Sequence, residues 1–421
     1  MTLDIWHWGQ GSVLAKLTDN TDETALRLAG AYRRAREGAD FSDIQELSGS
    51  AREAEKSAKE LGAYVSGKYQ PGLELGRSGF SSGSIALHDS GVPLRQAGLG
   101  TKRLATLAIQ KSGIQAGAII LIDEIENGLE PHRIIGAISQ IKSDQKSSTN
   151  ANAPTGQILM TTHSDVALAE AGGSSLRIVQ RDHSTRNMNI LAPKTADTLK
   201  PILRFAPRAL LAKRVLVIEG YTEVGILHGI KEFWPQSHEG KPIEQLGAAL
   251  VDGNGHQAPS IALAIRELGY STCLFRDSDS ALGEQELKSL EAAGIPVIQY
   301  AGTCNTEQAI FLAADDVCFD EFLDFAITEH GAEAVASSIA SKIDGLTPMN
   351  AQTPHSEWTF SQEISQEDLR KLVGEVAHKK KWFKELRLGR EVSPLVWKSI
   401  QANKGSDLAK TVSKVENWLY G

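Results

Sequence analysis

Hydrophobic and polar positions along this chain follow two periods. Short aliphatic or β-branched runs such as Val215-Leu216-Val217-Ile218 and Thr272-Cys273-Leu274-Phe275 are too brief for helices and stop abruptly at charged residues. That is the pattern of buried strands. Comparable runs occupy Ala116 to Ile122, Gln157 to Met160, Ala248 to Leu250 and Pro296 to Tyr300. Asp22 to Glu37 and Ser50 to Leu61 carry Ala and Leu at helical spacing behind plausible capping residues, which predicts two amphipathic helices. Ser84 to Asp89 predicts a strand, the polar tract Ser143 to Gly156 a surface loop, and Leu199 to Ala212 a short apolar helix joining two domains. Strand and helix patterns alternate through 213–310, as a doubly wound, mostly parallel sheet requires. From Phe311 onward the β signals fade and the chain reads as helices. The expectation is an α/β protein in three parts: 1–205, 206–310 and a helical, basic 311–421.

At 421 residues, 41% hydrophobic and 23% charged, the composition is that of a globular protein with well-buried cores. No apolar stretch approaches the ~18–20 residues a membrane span needs, and the start lacks the basic and apolar regions of a signal peptide. Cys273, Cys304 and Cys318 make neither a zinc pattern nor a disulfide framework, which points to a reducing cytoplasm. The net charge of −8 argues against a general nucleic-acid coating protein. The charge is uneven, however: Arg370 to Lys404 holds ten Lys or Arg against Glu375, Glu385 and Glu391. Phosphate binding and a solvated helix face explain that patch equally well.

The carboxylates change the picture most. Glu219 ends one apolar run and stands one helical turn before Glu223 if a helix starts after Gly220; Asp277 and Asp279 end another. Acids at the carboxyl ends of parallel strands lie where α/β sheets put their chemistry. Four of them at one edge would repel and raise their own pKa values unless a divalent cation neutralised them, and an oxygen-only set suits Mg²⁺ or Mn²⁺. Asp252, in Val251-Asp252-Gly253, and Glu307, at the start of a predicted helix, could face the same edge. Asp252 reads somewhat more readily as a turn cap, and Glu307 equally well as a charge favourable to the helix dipole.

A strand-ending Glu219-Gly220 followed by Asp277-Ser278-Asp279 resembles the Toprim domain, the Mg²⁺-binding module of some nucleases, topoisomerases and primases. The first half resembles a different module. Ile119 to Glu124 has the form of a Walker B strand, with Asp123 and Glu124 in the places of the Mg²⁺-orienting acid and the catalytic Glu. Gly98-Leu99-Gly100-Thr101-Lys102 resembles the ABC signature, Asn127 to Pro131 stands in the place of the D-loop, and Thr161-Thr162-His163 resembles the switch-histidine loop. No Gly-x-x-x-x-Gly-Lys-Ser/Thr occurs, and Trp8-Gly9-Gln10-Gly11-Ser12 has no lysine to offer a phosphate. The expectation is the carboxyl half of an ABC-type head that binds ATP only with a Walker A lobe that is missing or supplied by a partner.

An ABC-type head followed by a Toprim domain resembles the OLD (overcoming lysogenization defect) family of ATP-dependent nucleases. The resemblance implies a two-metal DNA endonuclease of phage defence or DNA processing, working as a homodimer or higher oligomer, with a helicase as a conceivable partner subunit. It implies metal ligation by Glu219, Glu223, Asp277 and Asp279, joined by Asp252 and Glu307, and a catalytic lysine in the carboxyl-terminal region, Lys381 or Lys384. Nucleotide contacts would fall to Gly98, Gly100, Asp123, Glu124 and His163. The alternative is a non-catalytic DNA-binding or assembly subunit with a vestigial head.

Overall fold

A computed structural model describes residues 43–73, 85–112, 119–147, 157–181, 185–194 and 196–421, with scattered positions between 26 and 41. The glycine-bearing segment at residues 8–12 and most of the polar loop expected to end at Gly156 lie outside the described residues, as does much of the first expected helix; its described positions are largely helical. The chain divides into two compact units, Met1–Glu170 and Ala171–Gly421. Both expected boundaries, at 205/206 and 310/311, fall inside the second unit.

The first unit opens with α1 (Gln45–Glu60). The helix was expected to start at Ser50, but its N-cap is Ile44, and Ser50 Oγ instead donates to the Glu46 carbonyl at 2.9 Å. A serine that bonds back within a helix cannot also cap it. Strands β1 (Tyr69–Leu73), β2 (Ile85–Asp89) and β3 (Val92–Pro93) form an antiparallel sheet in that order. Helix α2 (Leu99–Ser112) follows, and β4 (Ile119–Ile122) pairs in parallel with β5 (Gln157–Met160) across α3 (Pro131–Ser147). Ala58 of α1, Leu104 and Ala108 of α2, Ile125, and Ala137 and Ile138 of α3 make one core. Helix α4 (Asp165–Ala171) closes the unit.

The second unit begins with the hairpin β6 (Ile178–Arg181) and β7 (Met188–Leu191), then α5 (Lys200–Phe205) flanked by single 3₁₀ turns. Strand β8 (Arg214–Ile218) leads through α6 (Tyr221–Ile230) to β9 (Ala248–Asp252), and α7 (Ala258–Glu267) leads to β10 (Ser271–Arg276). Helix α8 (Glu284–Ala292) leads to β11 (Val297–Gln299). All four strands are parallel, in the order β11-β10-β8-β9.

The remainder is helical: α9 (Thr306–Ala313), α10 (Asp316–His330), α11 (Ala332–Ala340), α12 (Gln366–Lys380), α13 (Leu386–Ala402) and α14 (Asp407–Tyr420). These helices share one core with the sheet. Trp382 and Phe383, between α12 and α13, are buried against Phe311. Helix α13 crosses α6 so closely that a Cβ on Gly225 would stand 2.6 Å from the Leu386 carbonyl oxygen and 2.9 Å from Gly389 Cα. Only glycine permits that approach, and it ties the C-terminal helices to the helix that follows β8.

Candidate functional site at the sheet edge

Strands β8 and β10 are neighbours, with Phe275 opposite Ile218, and the Glu219 amide extends their pairing by donating to the Phe275 carbonyl at 2.9 Å. The chain leaves β8 for β9 on one side and returns with β10 on the other. The crevice beyond their carboxyl ends is therefore the topological switch point of the sheet. Glu219 and Asp277 are the first residues past the two strands and stand at that crevice.

Around them the acids crowd. Glu223, on the first turn of α6, is 6% exposed, and Thr306 Oγ1 donates to it at 2.5 Å. Burial, and then the charge of Glu307, push its pKa up to about 7. Asp277 is pushed up to about 8, by burial first, then by its hydrogen bond with Asp279 and the charges of Glu223, Asp279 and Glu219. Glu219 is raised by burial in spite of Arg276, whose Nε lies 3.1 Å from Glu219 Oε2. The Asp277–Asp279 loop is fixed from behind: the Ser278 amide donates to the Cys304 carbonyl at 2.9 Å, and the Cys304 amide to Ser278 Oγ at 3.1 Å.

Glu307, 2% exposed, pairs with His378 Nδ1 at 2.9 Å and accepts from Thr222 Oγ1 at 3.4 Å. Asp252 is the last residue of β9, and burial raises its pKa, but its Oδ1 accepts from the Asn254 amide at 2.8 Å, so it caps its own turn. The charges of Glu307 and Glu219 thus act on Glu223, and those of Glu223, Asp279 and Glu219 on Asp277, while no such coupling reaches Asp252. Among the described residues, no three acid, imidazole or thiol groups stand together as a preformed metal cage. The partners explain this. Glu219 turns to Arg276, Glu223 to Thr306, and Glu307 to His378.

Lys381 and Lys384 do not touch these acids. Lys381 ends α12 in a left-handed conformation (φ 61°), its amide donating to the His378 carbonyl, and both ammonium groups are exposed. Lys384 is near enough for its charge to act on His378. Of the basic stretch, Arg370 pairs with Asp316, Arg387 with Glu329 and Glu391, Arg390 with Glu232, and Lys398 with Glu321. Lys371, Lys379, Lys380, Lys381, Lys384 and Lys404 are exposed and have no ion-pair partner among the described residues.

Sequence patterns did not mark Arg276, Thr306 or His378. An arginine closing an otherwise apolar buried strand was the one signal available. His378, adjoining a lysine run, carried none.

In the first unit, Asp123 follows β4 and accepts from Thr161 Oγ1 at 2.5 Å, and the same oxygen accepts from the Glu124 amide at 2.8 Å. Glu124 has φ 46°. Its carboxylate lies 3.9 Å from His163 Nδ1, which sits closer, at 2.9 Å, to Glu126. Glu126 was not expected. It also accepts from Thr162 Oγ1 and the His163 amide, which anchors the loop after β5 to the turn after β4. Gly98 precedes α2, and Gly100, in its first turn, packs on the next loop, where a Cβ would meet the Gly128 carbonyl at 2.8 Å. Arg103 of α2 donates to the Asp123 and Glu124 carbonyls. Asp123, Glu124 and His163 therefore gather at one pair of parallel strand ends, while Gly100 packs on the loop at Gly128.

Residues 14–169 match the family model described as "AAA domain, putative AbiEii toxin, Type IV TA system". This part of the chain is thus similar to an ABC/AAA-type ATPase domain. A solved structure described as "Structural biochemistry of ATP-driven dimerization and DNA stimulated activation of SMC ATPases" resembles this chain at 20% identity and a TM-score of 0.26. The match covers 39% of this chain and 93% of that one. A comparison with curated proteins found no match. Among the described residues no helix is long and apolar enough to cross a membrane.

Proposed function

We propose that this protein is a divalent-metal-dependent DNA endonuclease of the OLD type, with a Toprim site in its second unit under the control of the ATPase domain. The observation that carries this is the crowding of Glu219, Glu223, Asp277 and Asp279 at the β8/β10 switch point, with Glu223 and Asp277 raised to about 7 and about 8. Arg276 and His378 offset only part of that charge. Carboxylates so crowded lack sufficient positive charge beside them, and the oxygen-only donor set fits Mg²⁺ or Mn²⁺.

Glu219, Glu223, Asp277 and Asp279 would hold the ions, with Glu307 and Asp252 at the margin. Two bound ions would supply an activated water and stabilise the leaving oxygen of an in-line displacement at phosphorus. The protein's own part is positioning. Ser278 fixes the Asp277–Asp279 loop, His378 and Thr306 aim Glu307 and Glu223, and Lys384 offers charge to the scissile phosphate. The unpaired lysines would hold the DNA backbone, and the signature-like start of α2 suits a second copy facing it, so that the working form is a homodimer. ATP would bind only with a Walker A lobe from outside the described residues. Defence against phage and a helicase partner belong to the same proposal.

The test is cleavage of supercoiled and linear DNA by the purified chain in Mg²⁺ or Mn²⁺, against EDTA. Asp277→Ala and Glu219→Ala are expected to lower the rate at least about a hundredfold, the scale on which catalytic groups act. Undiminished cleavage by both variants overturns the proposal.

A non-catalytic DNA-binding role draws support from the Arg276–Glu219 pair, which satisfies one acid without any ion. Metal-independent DNA binding with no cleavage under any ionic condition would favour it.

A further inference from the structure

A cavity of about 410 Å³ opens on the second unit between the β11–α9 loop, α9, the start of α12 and the α13–α14 turn. Cys304, Ala309, Ala313 and Leu408 give it a buried apolar part, which Gln308 interrupts. Its rim is charged and only partly satisfied. Glu367 and Lys371 stand one turn apart on α12, the spacing of a helical ion pair, yet form none, and both line the cavity. Thr303, in the β11–α9 loop, and Asp407, the first residue of α14, also line it, and one Asp407 oxygen accepts from the Ala301 amide at 2.8 Å while the other has no bond among the described residues. Lys404, exposed and without an ion-pair partner among the described residues, adjoins the lining residue Asn403.

The cavity backs onto the acidic site. Its loop residue Cys304 is the one whose amide and carbonyl hold Ser278, between Asp277 and Asp279. A ligand in the cavity would thus lie against the residue that anchors the loop carrying two of the site's acids.

We infer that this cavity binds a nucleoside 5′-monophosphate unit. Three features of the lining select that chemistry together. The buried apolar part accepts the face of a base. The carboxylates of Glu367 and Asp407 accept from exocyclic amino groups, as carboxylates do at cytosine. The unpaired Lys371 ammonium takes the phosphate. The volume lies within the range of small-ligand sites and exceeds what a lone ion needs. An amino acid or simple anion would use only part of this arrangement. The inference rests on the nuclease reading for its biological sense: the unit is a nucleotide of the substrate strand, or a free nucleotide that sets the geometry of the Asp277–Asp279 loop.

The experiment is titration calorimetry of the full chain with deoxynucleoside 5′-monophosphates and, separately, with a short single-stranded oligonucleotide. It compares wild type with Thr303→Trp, which fills the cavity from an exposed loop position, and with Lys371→Ala. Loss of the phosphate contact is expected to weaken binding about tenfold or more, and Thr303→Trp to abolish it. Mononucleotide binding lost in Thr303→Trp supports the pocket with a free nucleotide as its ligand. Oligonucleotide binding alone, reduced in the same variant, supports it with the substrate strand as the source. Equal binding by wild type and Thr303→Trp, or no binding of either probe by wild type, overturns it. Binding that follows this pattern in a chain that cleaves nothing would sink the nuclease reading and leave the pocket standing; normal cleavage without nucleotide binding would do the reverse.

Discussion

The guanidinium of Arg276 reaches back from the last residue of β10 to place Nε 3.1 Å from Oε2 of Glu219, the first residue after β8. Arg276 is 3% exposed, so the pair stands in for a cation inside a crowd of acids. Arg276→Met removes that cation and leaves Glu219 uncompensated. Breaking a buried pair in this way costs about 3–5 kcal/mol. In EDTA the denaturant midpoint of Arg276→Met is expected to fall accordingly, and Mg²⁺ to restore much of it by binding the folded state alone. A loss identical in EDTA and in Mg²⁺ would show that Arg276 serves packing only.

His378 holds Glu307 at 2.9 Å and touches none of the other acids. If Glu307 is a ligand, His378 is a positioning residue whose removal acts on metal affinity. His378→Ala is expected to raise the Mg²⁺ concentration for half-maximal cleavage about ten- to a hundredfold, the usual effect of losing an outer-shell partner, with His378→Gln partly rescuing it. An unchanged Mg²⁺ profile with a lower plateau would place His378 elsewhere in the reaction.

Ion pairing divides the basic stretch into two classes that sequence alone could not separate. Replacing Lys379, Lys380 and Lys381 together with Ala should weaken DNA binding for every sequence and flatten the salt slope by up to about 2.7, at about 0.9 per phosphate released. Arg387→Ala and Lys398→Ala, whose charges are already met by Glu329, Glu391 and Glu321, should leave the slope nearly as it was. Lys384→Ala is expected to slow single-turnover cleavage while affinity holds, the mark of a contact made at the reacting phosphate. Filter binding at several salt concentrations reads the affinities and slopes, and single-turnover cleavage reads the Lys384→Ala rate. An unchanged slope in the triple variant would make the lysines a solvated face.

Purified chain is expected not to turn over ATP. Asp123, Glu124 and His163 gather at one pair of strand ends, but the sequence offers no phosphate-loop lysine to cradle a triphosphate. Phosphate release that disappears in Glu124→Gln would refute this.

The strands of the second unit were legible because each is a short apolar run cut off by an acid or a turn. Gly220 and Asn305 marked the helix starts beside Glu223 and Glu307 by ordinary capping chemistry. The strand order was not written in those runs, since neighbours in a parallel sheet are set by crossovers, yet that order is what makes Glu219 and Asp277 adjacent. Contacts across long separations were equally silent: Glu307 to His378, Glu219 to Arg276, Glu126 to the His163 loop. Lys381 read as a candidate for the reaction, and no pattern marked that its left-handed backbone also ends a helix.

The near contact of Gly225 with Gly389 bears on how the protein is made. Helix α6 emerges from the ribosome long before α13, and until residue 389 has been synthesised the glycine face of α6 has nothing to lie against. Contacts that wait for distant sequence are slow to form and leave apolar surface open in the meantime. The contacts of that face therefore form only after α13 has been synthesised. A chain interrupted before α13 would carry every acid of the site and still have no stable floor beneath them.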